Sequence, residues 1–267
     1  MRQFEDFEII DSHVHPFLET DGCNIGAYGA PVSPQEFVDE LRSLGICQCC
    51  GTLLLGKQAD WNAIRKLNRA ALRFRDRFPD FYLPGIHIHA RYPDESCQEL
   101  EEMHREGVHW IGELVHYMMN TGPCASPGFE TICAAAEELQ MPINLHLHPE
   151  TLGDLEQVVR KFPNLPFVLA HPGDLGQAKQ RFEFTAKWKN VYLDLSGTGL
   201  FRWNMLRWAI DLCGSGKLLF GSDFPICSPG MNLYGVLSEH LSRPELENIF
   251  SNNFKRLIHA EKITPSR

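Results

Sequence analysis

His13 and His15 stand two residues apart in the segment DSHVH, directly after a short aliphatic run. Side chains of an extended strand alternate between two faces, so residues two apart point the same way. Neutral imidazoles are good ligands for zinc and other divalent transition metals. The two histidines are therefore predicted to face one metal ion.

Three more polar residues stand where later aliphatic runs end, namely His146, His171 and Asp223. If these runs are parallel strands of one barrel, their carboxyl ends meet at the same mouth. Histidines and a carboxylate suit zinc best, and iron or manganese with less selectivity, and an open coordination position would hold a water. That water is the expected nucleophile.

Short aliphatic or β-branched runs alternate with segments of helical periodicity along the whole chain, which predicts a parallel sheet. The candidate strands are Phe7–His13, Ile46–Leu55, Phe81–His89, Val108–Val115, Pro142–His146, Pro166–His171, Val191–Leu195 and Lys217–Phe220.

The first helix is expected to begin at Ser33, with Pro34 in its first turn and Glu36 completing a capping box. Asp60 is expected to cap the second. The later helices are predicted over Ser96–Glu106, Gly128–Glu138, Leu152–Phe162, Leu175–Thr185, Trp203–Cys213 and Pro244–His259.

These elements predict an α/β fold, a single (β/α)8 TIM barrel over residues 1–267. An open doubly wound sheet has the same local pattern, but the polar residues at so many strand ends favour the barrel. Substrate choice would then depend on the loops at 16–32, 90–96, 116–127 and 224–235.

Several stretches of the chain resemble the amidohydrolase superfamily, and most closely its "amidohydrolase 2" branch of TIM-barrel metal-dependent hydrolases and decarboxylases. They occur in the expected order from the first strand to the last helix. The matching stretches are IIDSHVH, GELVH, PINLHLHPE, FVLAHPG, VYLDLSG, LLFGSDFP and FSNNFKRL.

The resemblance implies that His13, His15 and His146 bind a divalent metal, with zinc the leading candidate and manganese or iron the alternatives. It implies that Asp223 also binds the metal and accepts a proton from the bound water, while His171 orients or polarises the water or the substrate. The physical chemistry agrees, because a divalent cation lowers the pKa of bound water from about 15.7 to about 7.

Two positions leave the ligand set open. His148 follows His146 by two residues, so either could be the fifth-strand ligand; His146 is favoured because it matches the family's motif, and His148 becomes a candidate for substrate binding. Relatives place a bridging ligand at the fourth-strand end, where this chain has Glu113. One metal is expected, and a second ion bridged by Glu113 is the alternative.

Other polar residues are weaker candidates. His87 and His89 repeat the His-x-His spacing, but they are expected to line the pocket and bind an anionic substrate group rather than a metal. Phe201 could form a pocket wall and Arg202 could anchor a carboxylate, although a solvated arginine is the alternative. Asp194 is a candidate to hold a ligand histidine from behind.

The composition of the chain limits which classes of binding partner are expected. A formal net charge of −9, without a run of Lys or Arg, disfavours nucleic acid and anionic membranes and favours a small-molecule substrate. The N-terminal segment MRQFEDFEII resembles neither a signal nor a transit peptide, and no apolar run approaches the roughly 18 residues of a membrane span. A cytoplasmic enzyme is expected, and by resemblance a dimer.

Nine cysteines are present, and Cys47, Cys49 and Cys50 lie in one apolar stretch. This pattern favours reduced thiols in a core over a disulfide framework. A soft-metal site is the alternative, but no second cysteine pair stands at a zinc-binding spacing.

Three functions follow from these observations. The leading one is hydrolysis of a small amide, lactone or ester by a metal-activated water. The second is a lyase reaction, decarboxylation or hydration of a small carboxylated substrate. The third is a catalytically silent metal-binding barrel, which is disfavoured because Asp223 and His171 accompany the other histidines.

Overall fold

A computed structural model describes residues 4–18 and 33–259, and within them eight parallel strands lie in chain order in one sheet. The strands are β1 (Ile9–Val14), β2 (Ile46–Gly51), β3 (Tyr82–Ile86), β4 (Trp110–Leu114), β5 (Ile143–Leu145), β6 (Phe167–Leu169), β7 (Val191–Asp194) and β8 (Leu218–Leu219).

The sheet closes between β1 and the residues that follow β8. The backbone N–H of Ser12 donates to the carbonyl of Phe220 at 2.9 Å, and that of Asp223 donates to His13 at 2.8 Å. Val14 and Phe224 form a parallel bridge one step further on. The predicted (β/α)8 barrel is confirmed, and its closure brings the first and last polar strand ends side by side.

Helices connect the strands on the outside of the barrel. They are α1 (Pro34–Ser43), α2 (Trp61–Arg77), α3 (Pro93–Arg105), α4 (His116–Met119), α5 (Pro127–Glu138), α6 (Leu152–Lys161), α7 (Leu175–Lys187), α8 (Met205–Cys213), α9 (Pro229–Ser238), α10 (Arg243–Glu247) and α11 (Asn253–Leu257). A π-helical turn at Asn248–Asn252 joins the last two.

The first two helices begin at the predicted capping residues, although Glu36 accepts from the Ser33 hydroxyl instead of completing a capping box. The Ser33 hydroxyl accepts a hydrogen bond from the Glu36 N–H at 3.2 Å, and the Asp60 carboxylate accepts one from Ala63 at 2.8 Å. Each side chain satisfies a backbone donor that the first turn leaves free. Helix α2 ends at Arg77, just before the Phe78-Pro79 step that cannot continue it.

The hydrophobic core lies between the sheet and the helices. Phe37 of α1 packs against Phe74 of α2 and against Phe224, with ring centroids 5.9 and 4.8 Å apart. Tyr82 of β3 closes on Phe74 at 5.0 Å. This packing fixes the strands from outside and leaves the carboxyl ends of the barrel for polar side chains.

The observed strands are shorter than predicted at their carboxyl ends. Strand β2 ends at Gly51 rather than Leu55, and β3 ends at Ile86 rather than His89. Beyond the end of β2, the carbonyls of Thr52 and Leu53 accept hydrogen bonds from the side chains of His15 and His87.

Helix α9 was not predicted, since most of its residues fell within the loop expected at 224–235. Its sequence, PGMNLYGVLS, carries two glycines and little polar contrast, so periodicity gives no signal. Ser228 and Pro229 repeat the start signal of α1 and could have revealed it. Of the loop expected at 16–32, residues 19–32 lie outside the described part.

The described cysteines, eight in number, are all free thiols. Among the described helices, none combines the length and apolar character that crossing a membrane would require.

Replacing Asp60 with alanine is expected to lower the free energy of unfolding by about 1 kcal/mol, because the first turn of α2 loses its side-chain acceptor. For a chain of this size that corresponds to a Tm lower by roughly 2–4 °C. Differential scanning calorimetry checks this, with the exposed turn residue Asp80→Ala as control. Equal Tm values for the two variants would contradict the capping role.

Candidate metal centre

Three predicted ligands converge where β1 meets the end of β8. His13 Nε2 and His15 Nε2 lie 3.2 Å apart, and Asp223 Oδ1 lies 3.2 Å from the second and 3.7 Å from the first. All three side chains are buried. The alternation that the sequence predicts for His13 and His15 therefore directs both rings to one point.

The Nδ1 atoms of His13 and His15, which face away from the shared point, already form hydrogen bonds. His13 Nδ1 lies 2.9 Å from the Asp194 carboxylate, and His15 Nδ1 lies 2.9 Å from the Thr52 carbonyl. Carboxylate and carbonyl oxygens only accept, so each Nδ1 carries the proton and donates it. In the neutral imidazoles both Nε2 atoms are then bare lone pairs facing each other.

A second group of donors surrounds Glu113, at the end of β4. Its Oε1 lies 3.0 Å from His146 Nδ1, 3.2 Å from His171 Nε2 and 3.6 Å from His13 Nε2. Its Oε2 lies 3.5 Å from His15 Nε2. Glu113 thus stands between the first group and the pair His146 and His171.

The protonation of His171 follows from its neighbour. The Ser196 hydroxyl donates to Asp194 Oδ1 in a short hydrogen bond and lies 2.8 Å from His171 Nδ1. Since that hydroxyl has given its only proton to the carboxylate, it accepts from His171. His171 therefore also turns a bare Nε2 toward Glu113.

The carboxylates in this region favour a positive charge, which either a proton on His13 or a bound cation supplies. Burial alone would lower the pKa of His13, but the charges of Asp194, Glu113 and Asp223 outweigh it and raise the pKa to about 10. Burial opposes the ionisation of Glu113, yet His13 and His146 hold its pKa well below the usual range. The carboxylates therefore remain ionised among the imidazoles.

The donor set fits a bound divalent metal. When the imidazoles are neutral, the facing atoms of His13, His15, His171, Asp223 and Glu113 are all acceptors, at separations typical of ligands around one or two ions. Glu113 Oε1 is buried and has no hydrogen-bond partner among the described residues. A cation satisfies all of these lone pairs at once.

Two of the facing residues have strained backbones. His171 and Asp223 have φ angles of 63° and 65°, in the left-handed region that costs non-glycine residues of order 1–3 kcal/mol. Gly197 packs against the His171 ring so closely that a Cβ there would lie 2.5 Å from Nδ1. The fold thus accepts strain to aim these side chains, as functional sites often do.

A cavity of about 230 Å³ opens beside the centre. His148, Asp223, Cys227 and Arg181 are among its lining residues. The buried Arg181 guanidinium donates to the carbonyls of Leu147 and Ala170, at 2.8 and 3.0 Å, and to that of His171. It therefore holds together the chain segments that follow β5 and β6.

The histidines of the second His-x-His motif do not join the metal group. His87 is buried and donates from Nε2 to the Leu53 carbonyl at 2.8 Å. His89 Nδ1 accepts from the backbone N–H of Arg91 at 3.2 Å. Neither ring belongs to the lining of the cavity beside the centre, so their expected contact with an anionic substrate gains no support.

The remaining predicted pocket residues lie at the rim. Phe201 is 71% exposed, and the Arg202 guanidinium stacks 4.6 Å above its ring and donates to the Gly173 carbonyl at 3.2 Å. His148 is exposed and packs on Tyr117, with ring centroids 4.2 Å apart. The role of these residues in substrate binding stays a prediction.

Sequence reasoning missed several residues that position the site. Ser196 and Thr52 hold ligand histidines, Tyr117 lies with its hydroxyl 3.4 Å from His146 Nε2, and Arg181 fixes two loops. Ser196 lies two residues after Asp194, and this spacing was a usable signal. Thr52 acts through its backbone, which no residue type reveals.

Comparisons with known proteins agree with this architecture. A family model described as amidohydrolase matches residues 10–259. Among curated proteins, none matches the sequence significantly.

Many solved structures share the fold. An uncharacterised TIM-barrel protein from Bordetella bronchiseptica is 16% identical, with a TM-score of 0.75 over 95% of this chain and 99% of its own. A probable 2-pyrone-4,6-dicarboxylic acid hydrolase from Acinetobacter baumannii is 18% identical, with a TM-score of 0.69 over 95% and 100%. A dihydroxybenzoic acid decarboxylase from a Polaromonas species, with bound manganese, is 16% identical, with a TM-score of 0.69 over 96% and 98%.

Substituting Asp194→Asn is expected to weaken divalent metal binding by about 10- to 100-fold, because His13 loses the anion that fixes its tautomer and ring orientation. Competition with a chromophoric chelator measures the affinity. The exposed α8 residue Asp211→Asn is the matched control. Wild-type affinity in Asp194→Asn would show that this carboxylate does not organise the centre.

Proposed function

Since the chain belongs to the amidohydrolase family, we propose that it is a metal-dependent hydrolase that cleaves a small amide, lactone or ester with an activated water. The main support is the convergence of His13, His15, His171, Glu113 and Asp223, whose facing nitrogens and oxygens could bind a divalent cation together. The cavity beside them has the size of a small molecule.

The arrangement favours two ions over the one expected from the sequence, because Glu113 stands between two donor groups. Imidazole and carboxylate ligands make zinc the leading candidate, with manganese or iron as alternatives. Bound divalent ions lower the pKa of water and polarise a carbonyl oxygen. The proposed ligands are His13, His15 and Asp223 for the first ion and His146 and His171 for the second, with Glu113 shared.

Asp223 is the proposed general base. It is an ionised carboxylate at the wall of the cavity: burial opposes ionisation, but the neighbouring imidazoles of His15, His171 and His13 lower its pKa. Asp223 accepts the proton of the attacking water and returns it to the leaving group. This is the role that the resemblance implies for it.

Decarboxylation of a small carboxylated substrate is the second candidate. The buried Arg181 guanidinium at the cavity wall is a cation that suits a substrate carboxylate. The structural neighbour from Polaromonas is named as a decarboxylase. Release of CO₂ rather than uptake of water distinguishes this reaction from hydrolysis.

Metal analysis tests the centre. At the catalytic mouth the dialysed wild type is expected to hold about two equivalents of divalent metal, counted by elemental analysis as the excess over a variant that carries His13→Ala, His15→Ala and His171→Ala. His171→Ala should retain about one, because Glu113 then keeps only His146 as a partner in the second group. His13→Ala combined with His15→Ala should lose the ion that these residues share with Asp223.

The exposed His240→Gln serves as the control for these variants and should keep the wild-type content. One equivalent in the wild type, unchanged by His171→Ala, would contradict the second ion and return His171 to orienting water or substrate. A metal-free wild type after reconstitution would contradict the whole metal mechanism.

Asp223→Asn tests catalysis. Loss of a general base is expected to lower kcat by about 10²- to 10⁴-fold while much of the metal stays bound through the histidines. Turnover of a panel of lactones, esters, amides and carboxylated aromatics measures this, with metal content determined on the same samples. A wild type that turns over none of them, with Asp223→Asn altering only stability, would favour the silent barrel.

A further inference from the structure

A second histidine cluster lies at the opposite end of the barrel. His104 is in the last turn of α3, His109 immediately precedes β4, and His259 follows α11. With Glu138, at the end of α5, these residues line one cavity of about 280 Å³. Because it lies at the amino ends of the strands, this cavity is separate from the catalytic mouth.

The rings of His104 and His109 are in contact, with centroids 5.1 Å apart and planes at 88°. His104 Nδ1 is buried and finds no hydrogen-bond partner in residues 4–18 and 33–259. An unsatisfied buried nitrogen is unfavourable, and an ion is one of the ordinary explanations for it.

The charge state of His109 suits metal binding. Burial and the nearby His104 and His259 lower the pKa of His109. A neutral imidazole is the form that binds a transition metal, so no proton has to be displaced from this ring at neutral pH.

We propose that His104, His109 and His259 form a structural site for a divalent transition metal of the zinc class, with Glu138 as a fourth donor. The donors surround the cavity rather than meeting at one point. His259 is half-buried and Glu138 is exposed, so rotation about their side-chain bonds can bring them to the ion. The bound ion would tie the end of α11 to α3 and the start of β4.

Cobalt(II) is the probe, because its visible absorption reports tetrahedral coordination by nitrogen and oxygen. Titration of the full-length wild type by calorimetry and absorption is expected to give one equivalent more than His109→Gln or His104→Gln binds. Turnover stays unchanged in both variants, since neither residue is near the catalytic centre. The exposed His240→Gln is the control and should keep the wild-type stoichiometry.

Stability provides a second readout. Zinc at about 100-fold above its Kd is expected to raise the Tm of the wild type by roughly 5–10 °C more than that of His109→Gln. Equal stoichiometry and equal Tm rise in wild type and both cluster variants would overturn the site. Loss of the extra equivalent in His240→Gln as well would also overturn it, since binding would then be nonspecific.

Discussion

The carboxylate of Asp194, at the end of β7, is the point on which the centre depends. It accepts hydrogen bonds from His13 Nδ1 at 2.9 Å, from the Asn144 amide at 2.8 Å and from the backbone N–H of His171 at 3.2 Å. Through the Ser196 hydroxyl it also fixes the His171 ring. One buried anion thus connects β1, β5, β6 and β7, and it sets the tautomers of two candidate ligands.

This arrangement has an electrostatic cost. Asp194, Glu113 and Asp223 are all buried, and buried carboxylates are unfavourable unless they are paired. Glu113 and Asp223 face His13 and His15, whose Nδ1 protons are donated to other acceptors. With neutral imidazoles the site carries a net negative charge, and the free energy that a cation supplies on binding is at the same time free energy of folding for the strand ends around it.

The side chains that meet at the mouth of the barrel were largely predictable from the sequence, for a simple geometric reason. Side chains alternate along a strand, and parallel strands end at the same mouth of a barrel. These two rules place His13, His15, His146, His171 and Asp223 at one mouth, and the structure brings all five there. Spacing alone could not separate the first His-x-His motif from the second. The two motifs differ in which ring nitrogen bonds to a backbone carbonyl. His87 uses Nε2, whereas His15 uses Nδ1 and keeps its Nε2 directed toward His13.

The parts that sequence reasoning missed act through backbone or distant contacts. Arg181 lies on a helix, and only the fold reveals that its guanidinium reaches carbonyls of two other segments. Helix α9 lacks the periodicity that exposes other helices. The count of ions depends on where the two oxygens of Glu113 point, which no pattern of residue types encodes.

The seam where the barrel closes also sets the order of events during synthesis. The Ser12 hydroxyl bonds to the carbonyl of Phe220, a contact that spans 208 residues of chain, and Asp223 lies beside it. A ribosome must therefore release the chain as far as Asp223 before His13 can meet the carboxylate. Translation products that stop short of this seam lack the assembled centre, so the chemistry of the mouth requires the strand ends at both sides of the closure.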